Sequence, residues 1–505
     1  MSLAFRFSAV MALVSLAPFA LLAQGGASSP LLLKTSDPAL QQTFDWAKAQ
    51  ALAYVGSSTD PVGDWYEAAL PGRHAFCMRD VSHQTMGAYA LGLAAQNHNM
   101  LRRFAQNISL PKDWASYWEI DREGKPSPDD YQSDNDFWYN LPANFDVMSA
   151  ALRMFQWTGD STYIDDPAFT SFYDHTISDY PKRWSLEYPA LLTRNRIMNR
   201  HPSTGRFVEA RGIPSYTESQ DDFVIGVDLL AAEYRALRLA ADLARFHDQS
   251  QVAKEYGRRA MAIQRFIETK AWDPKKHRFY GFLGNDQSFF GEGDAFVLYF
   301  SAAKDPGKIR DAIATIKDKL GASAPGIEEQ SYMPETLYRY GALEEAYGQT
   351  LDLSRSDRQR REYPEVSYAI IGAIVTGMMG VDVASPLQLQ RSSASDHRAV
   401  ISTLPHLSRK SPWVEMDHLP VRGNVIDIRH DGSKSSSLTN VSGPALVWRP
   451  SFYGRSPFVI VDGKKAVAVQ TTDSQGRTVG TTNILVAPNS TIITRMMDAD
   501  RRPSQ

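Results

Sequence analysis

The sequence predicts a mainly α fold class, a circular array of helix hairpins followed by a small all-β domain. Three observations carry that reading. Apolar residues recur at helical spacing from about residue 38 to 383. Helix pairs joined by short polar links return roughly every sixty residues, the sign of a repeating array rather than an open bundle. Beyond a linker at 384–397, ASPLQLQRSSASD and its flank, the apolar period drops to two.

The clearest helix pair lies at 227–267. Leu230, Tyr234, Leu237, Ala241 and Ala244 form one stripe, and Val252, Tyr256, Ala260, Ile263 and Ile267 form the next. The link HDQSQ is short enough to fold the two back on each other. Further helical segments are DPALQQTFDWAKAQALAYV, SHQTMGAYALGLAAQNHNMLRRFAQNI, PANFDVMSAALRMFQW, GEGDAFVLYFSAAK, DPGKIRDAIATIKDKL, PETLYRYGALEEAYGQTLDL and EVSYAIIGAIVTGMMGV. Gly in TGD at 158–160 and in GVD at 380–382 supplies the left-handed residue that ends a helix. WDPKKHRFY reads as a tight turn into a short extended piece.

The strand-like runs are AVISTLP, NVIDIRH, SLTNVS, ALVWRPS, FVIVDGKKAVAVQTT and NILVAPNSTIITRM. Asp-Gly pairs at 431–432 and 462–463 supply hairpin turns. Residues 398–497 are therefore expected to form a β-sandwich.

At the N-terminus, Arg6 precedes the apolar run FSAVMALVSLAPFALLA and the small-residue stretch QGGASSP. That is the pattern of a signal peptide, assigned to residues 1–23, and it places the mature protein outside the cytoplasm, secreted or periplasmic and free of the membrane. The single cysteine, Cys77, excludes an internal disulfide, and its apolar neighbours mark it as buried and inert. A hydrophobic content of 43 % allows a large core, and a net charge of −3 gives no reason to expect nucleic acid as a partner. No Walker loop, dinucleotide fingerprint or G-x-S-x-G elbow is present.

Four segments crowd charged and aromatic side chains together. RHAFCMRDVSHQ holds Arg79, Asp80 and His83; the stretch 113–140 holds Trp118, Asp134 and Trp138; TESQDDF at 217–223 holds Glu218, Asp221 and Asp222; and RSDRQRREYPEVSY holds Arg361, Glu362 and Glu365. Carbohydrate suits this mixture, because sugar rings stack on aromatic faces while their hydroxyls need charged hydrogen-bond partners. Cleaving a glycosidic bond needs one carboxylic acid to protonate the leaving oxygen and a carboxylate across the ring. The aspartates near 134 do not follow the spaced calcium-loop pattern, and no histidine or cysteine spacing marks a metal site. No metal and no cofactor is expected.

The stretch from TESQDDF through WDPKKHRFYGF resembles the six-hairpin glycosidases, a superfamily of trehalases, processing α-glucosidases, glucoamylases and α-rhamnosidases. In two of those groups Glu-Ser-Gly-Trp-Asp-x-Ser precedes a Val-Asp-Leu helix, then a second helix, Trp-Asp and an aromatic turn. Here Gln220 and Asp221 stand where Gly and Trp belong. The resemblance implies an (α/α)6 barrel over residues 31–385 and a glycoside hydrolase activity. It implies that Asp222 is the general acid and that the base is a late glutamate. Glu362, Glu365 and the earlier Glu328, Glu329 and Glu335 all qualify by position. Glu365 is preferred because Pro364 sets it at the N-terminal edge of the last helix. Glu218, Asp221, Arg79, Asp80, His83, Trp118, Asp134, Trp138, Arg361 and Glu362 are the expected sugar contacts.

The expected function is that of an exported hydrolase acting on the ends of an oligo- or polysaccharide with inversion. Two other classes remain open on this scaffold: a polysaccharide lyase or unsaturated uronyl hydrolase, and a carbohydrate-binding protein that has lost its acid–base pair.

Overall fold

The computed structural model describes residues 29–194, 212–218, 223–320, 326–388, 398–473 and 475–497. The expected signal peptide and most of the expected linker lie outside these residues.

The helices alternate between two kinds. α1 (Pro38–Ala53) comes first, then the pair α2 (Met78–Ala90) and α3 (Ala94–Gln106). α4 (Ala143–Thr158) is followed by the single turn α5 (Thr162–Asp165), α6 (Pro167–Ile177) and the short α7 (Asp179–Arg183). α8 (Val227–Phe246) pairs with α9 (Ser250–Thr269), and α10 (Asp294–Tyr299) with α11 (Pro306–Lys319). After the single turn α12 (Ile327–Gln330) come α13 (Met333–Arg339), α14 (Leu343–Leu353) and α15 (Pro364–Gly372), which continues as a π-helical turn, Ala373–Met378.

α2, α4, α8, α10, α13 and α15 are the inner helices. α15 buries every residue, whereas the outer α9 buries only a stripe that includes Ala260, Ile263 and Ile267. A helix buried on all sides needs neighbours on all sides. α2 packs on α4, α4 on α8, α8 on α10, α10 on α13, α13 on the π-helical turn, and α15 back on α2. The last contact is unusually close. A Cβ on Gly87 of α2 would stand 2.0 Å from the carbonyl oxygen of Tyr368 in α15, so only glycine fits there.

The two kinds also start differently. Outer helices α1, α6 and α11 each begin at an Asp-Pro pair, where Asp37, Asp166 or Asp305 accepts from backbone N–H groups of the first turn. Proline suits the first helical position because its missing N–H would be unbonded anyway. No inner helix has a side-chain cap, yet each carries a carboxylate in its first turn: Asp80, Asp146, Asp228, Asp294, Glu335 and Glu365. Carboxylates are favoured beside the positive end of a helix dipole.

Two runs that read as single helical segments are hairpins. Gly92 and Gly341, both at positive φ, turn the chain between α2 and α3 and between α13 and α14. Helices α5 to α7 escaped the periodicity reading, since Pro167 and Pro181 and a dense set of aromatics interrupt the stripe.

The strands form two main sheets. One is ordered Leu32–Thr35, Trp413–Val421, Asn424–Asp431, Ser435–Ser442, Ser490–Met496, Phe458–Val461, Lys464–Val467. The other runs Asp382–Val383, Val400–Thr403, Leu446–Tyr453, Thr478–Thr481, Val469–Thr472. Burial alternates strictly along Asn424–Asp431, and Gly432 and Gly463 turn the two Asp-Gly hairpins at positive φ. Among the described residues no helix is long and apolar enough to cross a membrane.

Candidate active site

The inner helices α2, α4, α8, α10 and α13 line a cavity of about 610 Å³. The inward face of α4 lines it from first turn to last through Asp146, Ser149, Ala150, Arg153, Gln156 and Trp157, which are the i, i+3, i+4, i+7 positions of one helix face and their continuation. Arg79 and His83 of α2, Arg235 of α8 and Glu335 and Arg339 of α13 line it from other sides. His406, Tyr453 and Asp473 of the strand-rich region meet the same space.

At the α2 and α4 side the cavity is lined by residues with buried polar atoms that lack a partner among the described residues. His83 Nε2 bonds Ser331 Oγ at 3.0 Å, and that hydroxyl already donates to the Glu328 carbonyl. Nε2 must therefore carry the proton, which leaves Nδ1 as a bare acceptor. Burial keeps the ring neutral, its pKa pushed down to about 4, and it stacks on Tyr332 at 3.7 Å. One oxygen of Asp146 accepts from the Tyr216 hydroxyl; the other has no partner among the described residues. Burial pushes Asp146 up to about 7, against the pull of Tyr216, Arg235 and Arg79. Ser149 Oγ, one turn further along α4, is also unpartnered. A buried polar group without a partner costs about 1–3 kcal/mol. All three belong to residues that line the cavity.

Arg79 joins the cavity to a second group of carboxylates. Its Nη1 contacts Glu218 at 3.1 Å, the Tyr216 carbonyl at 3.3 Å and Asn140 at 3.3 Å, and its Nε lies 3.8 Å from Asp80. Glu365 is 5 % exposed, and burial followed by the charge of Asp80 holds its carboxyl well above the usual range. Asp80 is raised too, by burial, although Arg79 opposes this. Arg79 favours the ionised form of both carboxyls, and the charge of Asp80 opposes it at Glu365. Beneath it, Trp118 lies 5.5 Å from the guanidinium and packs edge-on against Trp138 at 4.7 Å; both tryptophans are buried.

Two first-turn acids serve the backbone instead. Asp228 accepts from Ser215 Oγ at 2.6 Å and Tyr216 N at 2.9 Å, and so holds the segment leading to Glu218 against α8. Asp294 accepts from Phe279 N at 2.8 Å. Glu335 is an ion-pair partner: Arg153 and Arg339 reach it at 2.8 and 2.9 Å and hold it down at about 2.

The expected site residues divide accordingly. Arg79, Asp80, His83, Glu218, Glu365, Trp118 and Trp138 come together. Asp134 accepts from Tyr131 at 2.7 Å, and Arg361 bonds the Ser354 carbonyl at 2.9 Å beside the exposed Glu362; none of these three lines the cavity. Asp221 and Asp222 lie outside the described residues. Asp146, Arg153, Arg235 and Arg339 were not expected. The signal that points to Asp146 is an acid in the first turn of a helix whose apolar residues leave no solvent face. Cys77 is buried, its thiol pushed well up by that burial. Among the described residues no group of three or more His, Cys, Asp or Glu side chains is arranged to hold a metal ion.

Solved structures of similar fold include two rhamnosidases and a sialidase. A GH78 family rhamnosidase of Bacillus sp. GL1 matches with a TM-score of 0.56 and 13 % identity over 83 % of this chain and 41 % of that one. An α-L-rhamnosidase from Dictyoglumus thermophilum matches with 0.59 and 11 % over 93 % and 50 %. A sialidase matches with 0.54 and 12 % over 89 % and 41 %. The chain spans half or less of the length of these proteins, and at such identities the likeness is one of fold. No family model and no curated protein sequence matches the chain.

Proposed function

We propose that this chain is an exported glycoside hydrolase that removes sugar from the end of an oligo- or polysaccharide with inversion. Its helix pairs are read as a closed (α/α)6 barrel, with the two sheets as a β-sandwich packed after it. The observation that supports this reading most is Asp146, a cavity-lining carboxyl held near pKa 7 with one oxygen free among other unpartnered polar atoms. A carboxyl of that kind is about half protonated near neutral pH and can serve as a donor, while nearby carboxylates held ionised serve as acceptors. Tyr216, Tyr299 and Tyr332 line the same space with rings on which a sugar can stack.

In the assignment implied by the resemblance, Asp222 protonates the glycosidic oxygen and Glu365 takes a proton from the attacking water. Glu365 must first lose its own proton, which Arg79 favours and Asp80 opposes. A second assignment, favoured by geometry, makes Asp146 the donor.

The test is reducing-sugar release from a glycan and aryl-glycoside panel by wild type, Asp222→Asn, Asp146→Asn and Glu365→Gln. Wild-type turnover is expected, with a loss of about 100-fold or more for Glu365→Gln and for whichever aspartate is the donor, at unchanged melting temperature. Release of an unsaturated chromophoric product would replace hydrolysis by elimination. Equal turnover by all four proteins would remove these carboxylates from the chemistry.

A further inference from the structure

We propose that the part of the cavity below Asp146 is an anion subsite that takes the carboxylate of an acidic sugar, so that, on the glycosidase reading above, the residue removed is a uronic-acid-type sugar. Three arginines on three inner helices, Arg153 of α4, Arg235 of α8 and Arg339 of α13, line this region. Glu335 is shared by two of them, Arg153 and Arg339. Arg339 also donates to the Tyr299 carbonyl at 2.7 Å. Nothing comparable holds Arg235, whose guanidinium has no hydrogen-bond acceptor among the described residues. It is packed against the rings of Tyr299 and Phe300, whose centroids lie 5.3 and 5.5 Å away.

The charge here is out of balance. Three guanidinium groups face one ionised carboxylate, and Arg235 feels burial together with repulsion from Arg339 and Arg153. The other acids at the cavity do not correct this. Asp146 is raised to about 7, and Asp473 is paired with Arg477 at 2.6 Å. Asp382 accepts from Val383 N and Gln156 and makes no ion pair with the arginines. A half-buried cationic group on a cavity wall, short of acceptors, is a standing binding site for an anion. The Arg235 N–H groups have no acceptor among the described residues, and a guanidinium can take a planar carboxylate by two parallel hydrogen bonds.

Depth supports the same occupant. Arg153 lies seven residues beyond Asp146 on α4, about 10 Å along the helix axis. An anion at Arg235 would hold a terminal sugar with its acid group inward and its glycosidic bond toward the Asp146 and Arg79 level.

The experiment is calorimetric titration of the full chain with D-glucuronate, D-galacturonate, D-glucose and glucose 6-sulfate, repeated on Arg235→Met and Arg235→Lys. Matched aryl glucuronides and glucosides are assayed alongside. A uronate is expected to bind wild type at least tenfold more tightly than glucose, Arg235→Met to lose that preference at unchanged melting temperature, and Arg235→Lys to retain part of it. Should Arg235→Met fail to fold, the Lys variant alone must still weaken uronate over glucose. Uronates binding no better than glucose, uronate binding unaffected by either variant, or selective binding of the sulfate ester alone would each overturn the proposal. Uronate binding without cleavage of any glycoside would keep this subsite and remove the hydrolase reading. Cleavage of neutral glycosides, equal in wild type and Arg235→Met, would do the reverse.

Discussion

The hydroxyl of Tyr216 donates to one oxygen of Asp146 and leaves the other, a buried oxygen, without a partner among the described residues. This hydrogen bond favours the ionised form, so it works against the burial that raises the carboxyl to about 7. Tyr216→Phe should raise the Asp146 pKa further, by about one unit if the lost bond is worth 1–2 kcal/mol. Carboxyl titration followed by NMR measures this directly. With Asp146 as donor, the alkaline limb of the pH–rate profile moves up by the same amount.

Asp146 also makes stability depend on pH. Its folded pKa lies above the unfolded value of 3.8, so the folded state binds the proton more tightly. The stabilisation is complete below about pH 4 and is lost as pH rises through about 7. Asp146→Asn should therefore melt higher than wild type at pH 8 and lose that advantage near pH 4. Thermal melts at the two values check the sign.

Glu365 and Asp80 should behave as a linked pair. The charge of Asp80 is one reason Glu365 keeps its proton, so Asp80→Asn lowers the Glu365 pKa. If Glu365 is the base, the acid limb of the pH–rate profile moves to lower pH in that variant. An unmoved limb would separate the two carboxyls.

Glu335 offers a third test. Replacing it with Gln leaves Arg153 and Arg339 without their counter-charge inside the fold, which should cost about 3–5 kcal/mol at pH 7. Because Glu335 is held at about 2, below its ordinary 4.5, the stabilisation is present above pH 4.5 and fades as pH falls through 2. Denaturant titrations at pH 7 and pH 3 should show the gap between wild type and variant narrowing.

Two glycines separate packing from propensity. A Cβ added to Gly257 of α9 would have nothing within 4 Å, so Gly257→Ala should gain up to about 1 kcal/mol of helix propensity. Gly87→Ala should instead destabilise, because the new methyl meets the Tyr368 carbonyl and pushes α2 from α15. Parallel urea melts decide both.

Much of the fold was legible because its signals are local. The α8–α9 pair shows in two apolar stripes, the helix ends in Gly159 and Gly380, and the hairpins in Asp-Gly pairs. Part of the site was legible for the same reason: Arg79, Asp80 and His83 crowd into five positions, and Glu365 follows a helix-starting proline. Arg153 and Arg235 were not. Each sits beside an apolar stripe, where a charge ordinarily points to water, and a single helix gives no sign that this second side faces an interior.

By itself the sequence determined which segments become helices and strands, where they turn, and that carboxylates gather at helix starts, since hydrophobic period, proline and glycine act within a few residues. Only the tertiary structure decided which acid does what. Asp228 and Asp294 bind backbone, Glu335 balances arginines, and Asp146 and Glu365 hold a proton more tightly than an exposed acid, because a carboxyl's charge state depends on burial and on neighbours brought from distant parts of the chain.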